Sequence, residues 1–430
     1  MHVLSLSVFA LQAASAVLSN PLPQTDDRAA AAAENIDQLA ALAQAAYQKS
    51  EEMIQSGEIQ KRGSSCSLGN IQIRKEWGSL QRQEKLDYIK AVQCLQSKPA
   101  LTPSDIVPGA KSRFDDFVAT HINQTFTIHY TGTFLSWHRR FTWLYEEALR
   151  EECGYKGTQP YWDWAKTAIT GVDSSPIFDG SETSMSGNGE FIPDQEDIIL
   201  TNPDGSEAAR LPTGTGGGCI TSGPFKNMSV NLGPLALSLP GGGSETNPDG
   251  FFAYNPRCLK RDLTTAINRR YSNASAILHN ILVPQNVGKF QVEMQGDPES
   301  GTMGMGIHGG GHFVSSSVPP VLFMSRREAN IHQTLGGDPG RDFFVSPGDP
   351  AFYLHHAQID RVWWMWQMLS PNARQFADDA VMGTNTFLNS PPSANTTLDD
   401  VLEYGYAAGP PIKIRDTMST LAGPYCYIYL

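Results

Sequence analysis

Apolar positions recur with a helical period in some stretches of this chain and with none in others. Residues 27–60 are rich in Ala, Gln and Glu. They place Ile36, Leu39, Leu42 and Ala46 three to four residues apart, the spacing of one helix face. A second helix is predicted over 73–95, with Leu80, Leu86, Ile89 and Val92 apolar, and a third over 136–152, with Phe141, Leu144, Tyr145, Ala148 and Leu149 on one stripe. From 170 to 256 the period disappears and Gly, Pro, Asn and Ser dominate, as in "GTGGGC" and "PGGGSETNPDG". Such sequence predicts long loops with short strands. The helical pattern returns near 262–280, at 308–313 after a Gly-rich run, and at 350–370. No internal repeat is present. The expected class is mainly α, with helices joined by long irregular loops and a few short strands.

The chain has 430 residues, of which 40% are hydrophobic, enough for a large core. Its formal net charge of -12 leaves no basic footprint for nucleic acid. The apolar start "MHVLSLSVFALQAASA" ends in Ala14-Ser15-Ala16 and predicts a signal peptide over 1–16, hence a secreted, extracellular protein. No other stretch is long and apolar enough to span a bilayer. Residues 17–62 are then a helical pro-segment or N-terminal extension, ending at the dibasic pair Lys61-Arg62, which offers a processing site. Six cysteines (Cys66, Cys94, Cys153, Cys219, Cys258, Cys426), none in C-x-x-C spacing, predict three disulfides. Their connectivity stays open, since six cysteines allow about fifteen pairings. Four N-x-S/T sequons, at Asn123, Asn227, Asn273 and Asn395, are candidate glycosylation sites.

Eight of the ten histidines fall in two zones, His121, His129 and His138 in the first, and His308, His312, His332, His355 and His356 in the second. His279, inside the apolar run "AILHNIL", is expected to be a core histidine. At about 100° per residue, His308 and His312 differ by about 40° and can share one ion. His129 and His138 differ by about 180°, so one straight helix cannot serve both. "YTGTFLSW" supplies the break: Gly132 interrupts and Ser136 is placed to cap the next helix. Carboxylate-free imidazole clusters suit copper, zinc, iron or nickel rather than magnesium or calcium. "HGGGH" lacks the Glu of the zinc-protease motif.

"FLSWHRRF", "PYWDWA" (160–165), "HGGGHF" and "DPAFYLHHAQIDRVWW" occur in that order, with "IRKEW" early and "YCYIY" at the end. Together they resemble the tyrosinase and catechol oxidase family, the polyphenol oxidases with a coupled binuclear copper site, and within it the short secreted fungal type. The similarity runs from about Cys66 to the C-terminus, so 63–430 is the expected catalytic domain. The resemblance implies a central four-helix bundle holding two copper ions, with O2 as co-substrate. Copper A would take His121, His129 and His138; copper B would take His308, His312 and His356. His355 is then not a ligand, and His332 matches no family motif. Asp360, one turn after His356, would brace the site. Trp137, Trp162, Trp164, Trp363 and Trp364 are expected in the core, and Arg74 is expected to reach a tyrosine of 425–429.

Three departures matter. Residues 122–128 hold no cysteine to cross-link His129, so packing must hold that ring. With the Tyr-x-Tyr segment at residues 427–429, no C-terminal domain plugging the site is expected. The base-positioning acid of tyrosinases corresponds to Gln295, and the Asn after the first copper B histidine to Gly309, with Glu293 or Glu299 as substitutes for the acid. A neutral amide adds no charge to make a water basic. The expected activity is therefore oxidation of o-diphenols, and of o-aminophenols, to quinones, with weak monophenol hydroxylation; the alternative is a tyrosinase with full monophenolase activity. A hemocyanin-like O2 carrier and a zinc hydrolase are the more distant readings. Phe313, Phe323 and Phe343 are candidates for the substrate entrance. The expected partners are small phenols only, and the expected state is a monomer or weak homo-oligomer.

Overall fold

A computed structural model describes residues 25–201, 207–296, 305–311 and 335–430. It is mainly helical. In chain order the α-helices are α1 (Thr25–Gln55), α2 (Glu58–Lys61), α3 (Arg82–Ser97), α4 (Arg113–Ile128), α5 (Phe134–Cys153), α6 (Trp164–Thr170), α7 (Thr265–Tyr271), α8 (Ala274–Leu282), α9 (Val287–Gln295), α10 (Ile307–Gly311), α11 (Ala351–Met368) and α12 (Pro371–Gln375). Helix α11 is buried at every position from Ala351 to Met368, and its polar residues, His355, His356, Gln358, Asp360, Arg361 and Gln367, are buried with the rest. It packs on α5, α1 and α8, and α5 packs in turn on α3 and α4. Trp137, Trp162, Trp164, Trp363 and Trp364 are all buried in this core.

Local signals set the ends of the site-bearing helices. Ser112 caps α4 reciprocally: its hydroxyl accepts the Asp115 N–H at 3.3 Å, and the Asp115 carboxylate accepts the Ser112 N–H at 2.8 Å. Gly154 ends α5 in the left-handed conformation, at φ 70°. The helix expected over 73–95 begins only at Arg82, where the Glu84 carboxylate takes the Gln81 N–H at 2.7 Å. Residues Gln72–Arg74 form instead a strand, paired in parallel with Tyr427–Tyr429. A pairing so distant in sequence leaves no periodicity to read.

The Gly- and Pro-rich region forms short two-stranded pairs: Gly189–Phe191 with Gly217–Ile220, Ile198–Thr201 with Glu207–Leu211, Ser229–Val230 with Arg257–Cys258, and Leu237–Ser238 with Ser244–Glu245. Three disulfides form, as the cysteine count implies: Cys66–Cys426, Cys94–Cys153 and Cys219–Cys258. They tie Cys66 to the C-terminal segment, α3 to α5, and the loop region to itself. Helix α1 does not stand apart from this body. It packs on α8 and α11 and buries Leu39, Ala46, Met53 and Ile54, and the Trp364 indole N–H donates to the Ser50 hydroxyl at 3.3 Å. The expected division at residue 62 therefore falls between helices that share one core.

Candidate metal centre

The first three histidines come together as the helical geometry requires. His121 lies on α4, and His129 follows its last residue with extended backbone (φ −122°, ψ 143°). His138 sits in the second turn of α5. The break between them is at Gly132, where a Cβ would meet the Thr396 hydroxyl at 2.4 Å and the Met382 carbonyl at 3.1 Å. Close approach of the 382–396 segment thus requires glycine there. Thr133, not Ser136, stands at the N-cap of α5, and Ser136 lies inside the helix with its hydroxyl donating to the Thr133 carbonyl at 3.1 Å.

Each of the three rings is held through Nδ1 by a backbone carbonyl. His121 contacts Phe344 O at 2.8 Å, His129 contacts Thr125 O at 3.0 Å, and His138 contacts Phe134 O at 2.8 Å. A carbonyl only accepts, so each Nδ1 carries the proton and each Nε2 keeps its lone pair. Nε2 of His121 and of His138 are buried without a hydrogen-bond partner. The ligand atoms of the three rings lie within 4.8 Å of one another. Burial pushes the His121 ring down to about 4, against its bond to Phe344, and holds His138 well below the usual imidazole range. Both rings are therefore neutral at pH 7, the form that binds metals.

The second group consists of His308 on α10 with His355 and His356 on α11, again with ligand atoms within 4.8 Å. His312, the third expected ligand, lies outside the described residues, as do His332, Phe313, Phe323 and Glu299. His355 is buried between Trp164, at 5.0 Å between ring centroids, and His356, at 5.1 Å. Burial pushes its ring down to about 3, with the nearby His308 backbone opposing the shift.

The two groups abut. His138 and His356 stack with centroids 4.5 Å apart and planes 14° apart, and His129 and His308 lie 6.1 Å apart. Phe134 wedges between them, 5.0 Å from His138 and 4.9 Å from His308, and Phe352 lies 4.2 Å from His356 and 5.5 Å from His121. Phe343, the one described entrance candidate, is buried 4.6 Å from His129. These apolar walls keep charge off the rings.

The remaining candidates are placed differently from one another. The Asp360 carboxylate is taken by Arg139 Nε at 2.5 Å, Tyr427 OH at 2.6 Å, Tyr429 OH at 2.5 Å and Arg74 Nη1 at 3.3 Å. It is a hub that joins α11 to α5 and to the paired strands Gln72–Arg74 and Tyr427–Tyr429. Burial alone would raise its pKa, but Arg139, Arg74 and the two tyrosines outweigh that and hold it below the usual carboxylate range. Arg74 meets the expected tyrosines, lying 3.7 Å above the Tyr427 ring and donating to Tyr429 OH at 2.9 Å. Gln295 is buried, and its carboxamide binds Tyr130 N–H and Gln291 O. Gly309 is buried on α10 beside His308. Glu293 faces His279 at 3.5 Å instead of the metal groups, and His279 is exposed on α8, not in the core as its apolar neighbours imply. Asn123, Asn227 and Asn395 are exposed, whereas Asn273 caps α8 by accepting Ala276 N–H at 3.0 Å.

Both groups consist of histidine alone, all six rings are buried, and two Nε2 atoms lack any other partner, a donor set that fits a pair of copper ions. Residues 111–369 match the common central domain of tyrosinase. The chain is 40% identical over 357 residues to tyrosinase P of Aspergillus terreus, covering 83% of this chain and 91% of that one. It is 38% identical over 372 residues to the N-acetyl-6-hydroxytryptophan oxidase ivoB of Emericella nidulans, covering 85% and 93%. Among solved structures, a single-site mutant of a polyphenol oxidase from Thermothelomyces thermophila superposes with a TM-score of 0.79 at 43% identity, covering 92% of this chain and 98% of that one.

Proposed function

We propose, from the premise that this chain belongs to the tyrosinase family, that it oxidises o-diphenols and o-aminophenols to quinones with O2 and hydroxylates monophenols only weakly. The family's cofactor is a binuclear copper site. We assign His121, His129 and His138 to one ion, and His308, His312 and His356 to the other. His355, packed against Trp164, is assigned to neither ion. The observation that carries this assignment is the stack of His138 on His356, which brings ligands of two separate groups within 4.5 Å between centroids.

When bound, the copper pair supplies the redox centre through which two diphenols give four electrons to one O2, with two quinones and two waters as products. The protein's share is to keep His121 and His138 neutral by burial, to hold the Nδ1 atoms of His121, His129 and His138 on backbone carbonyls so that Nε2 carries the lone pair, and to line the space with Phe134, Phe343 and Phe352. An o-diphenol brings two acidic hydroxyls and needs little help to lose protons. A monophenol must be deprotonated first, and there the residues at hand are weak. Gln295 is neutral and committed to Tyr130 and Gln291, Gly309 has no side chain, and Glu293 faces His279.

A positioned general base is worth ~10²–10⁴-fold. Initial rates on tyramine are therefore expected at least ~100-fold below those on catechol. Tyramine turnover within a few-fold of catechol would overturn the diphenolase assignment and favour full monophenolase activity. The disulfides and the exposed Asn123, Asn227 and Asn395 support a secreted protein. Among the described residues no helix is long and apolar enough to cross a membrane.

A further inference from the structure

Without a cross-linking cysteine, His129 needs some other restraint, and helix α9 supplies one. The residue after His129, Tyr130, is held in the left-handed region at φ 49°, a conformation unfavourable for an aromatic side chain. Its backbone N–H donates to the Gln295 Oε1 at 2.7 Å, and its hydroxyl donates to the Gln295 backbone carbonyl at 3.1 Å. The Gln295 Nε2 donates to Gln291 O at 3.1 Å, and the Gln291 Nε2 donates to Met382 O at 2.6 Å. The same turn is closed from the other side by Gly132 N–H, which donates to Thr384 O at 3.0 Å. Both ends of the Gln295 carboxamide are thus spent on backbone, in a site that is 1% exposed.

We propose that Gln295 is a positioning residue for His129: its carboxamide locks the Tyr130 peptide in its left-handed conformation and thereby aims the His129 imidazole at the first copper site. Only a carboxamide offers an acceptor to Tyr130 and a donor to Gln291 at once. Removing the acceptor frees Tyr130 to relax to an ordinary backbone conformation, which turns the peptide that carries His129. The inference rests on His129 being a copper ligand.

Three variants test it: Gln295→Met keeps the volume and loses both bonds; Gln295→Glu keeps the acceptor for Tyr130; Tyr130→Phe removes only the hydroxyl's bond. Copper per chain and its rate of transfer to a cuprous chelator are measured on each full-length protein after identical copper loading. The expected result is that Gln295→Met loses one of two ions ~10–100-fold faster than the parent, the usual cost of removing a group that orients a ligand. Gln295→Glu should recover most of that loss, which a purely structural role would not predict. Unchanged release from Gln295→Met, or equal loss in Gln295→Met and Gln295→Glu, overturns the proposal. If Gln295→Met does not fold, Gln295→Asn, whose carboxamide is one methylene short of the Tyr130 N–H, takes its place: faster release of one ion supports the proposal and unchanged release overturns it, while Tyr130→Phe, which spares the carboxamide's bonds, should release copper like the parent. A parent protein that binds no copper would instead sink the ligand assignment itself.

Discussion

Replacing His356 with alanine is expected to remove one copper ion per chain and reduce oxidation of catechol to background, whereas the same change at its neighbour His355 leaves both ions in place. The two residues are adjacent on α11, both buried, and both close to His308, with centroids 5.3 Å and 5.6 Å away. What separates them is what each ring faces. His356 stacks on His138 of the first group, so it borders the space between the ions. His355 turns towards Trp164, away from the stack. Metal analysis together with oxygen uptake checks this. Loss of an ion from His355→Ala with retention of both in His356→Ala would reverse the assignment.

Asp360→Asn is expected to destabilise the fold by about 3–5 kcal/mol, the usual cost of leaving a buried charge without its partner. Asp360, Arg74, Arg139 and Glu146 are all essentially fully buried. Arg74 Nε donates to Glu146 at 3.1 Å, Arg150 Nη2 reaches the other Glu146 oxygen at 2.5 Å, and Asp360 is the carboxylate that pairs with Arg139. Neutralising one carboxylate leaves the Arg139 guanidinium, stacked 3.7 Å above Trp363, partly uncompensated. The damage should reach the metal site, because Arg139 follows His138 and Asp360 lies one turn after His356. The ion pair therefore sets the spacing of α5 and α11 at the ring stack. Denaturant unfolding of the metal-free protein measures the cost directly. A loss under about 1 kcal/mol, ordinary for any point mutation, would mean that the hub is not what holds these helices together.

Much of the site was legible because its logic is local. The half-turn between His129 and His138 demands a break, and Gly132 stands where the break occurs. The bonds from His129 to Thr125 O and from His138 to Phe134 O span four residues each, a spacing within reach of sequence reasoning. What escaped was non-local. Nothing near His121 announces that Phe344 will hold it, and nothing near Gln72 announces Tyr427. His279 sits among apolar residues yet points outward, because α8 buries the opposite face against α1 and α11. Nothing in the sequence near Gln295 announces that its carboxamide will hold the Tyr130 backbone, 165 residues away. Asp360 was expected to brace the site, but nothing near it announces its four partners from three parts of the chain.

The central claim is that two imidazole groups close around neighbouring ions. Copper stoichiometry and electron paramagnetic resonance on one sample of oxidised protein test it most directly. The account predicts two copper ions per chain and almost no resonance signal, since neighbouring cupric ions joined by a bridge pair their spins. One isolated cupric signal per copper, or a protein that takes up zinc but no copper, would contradict it.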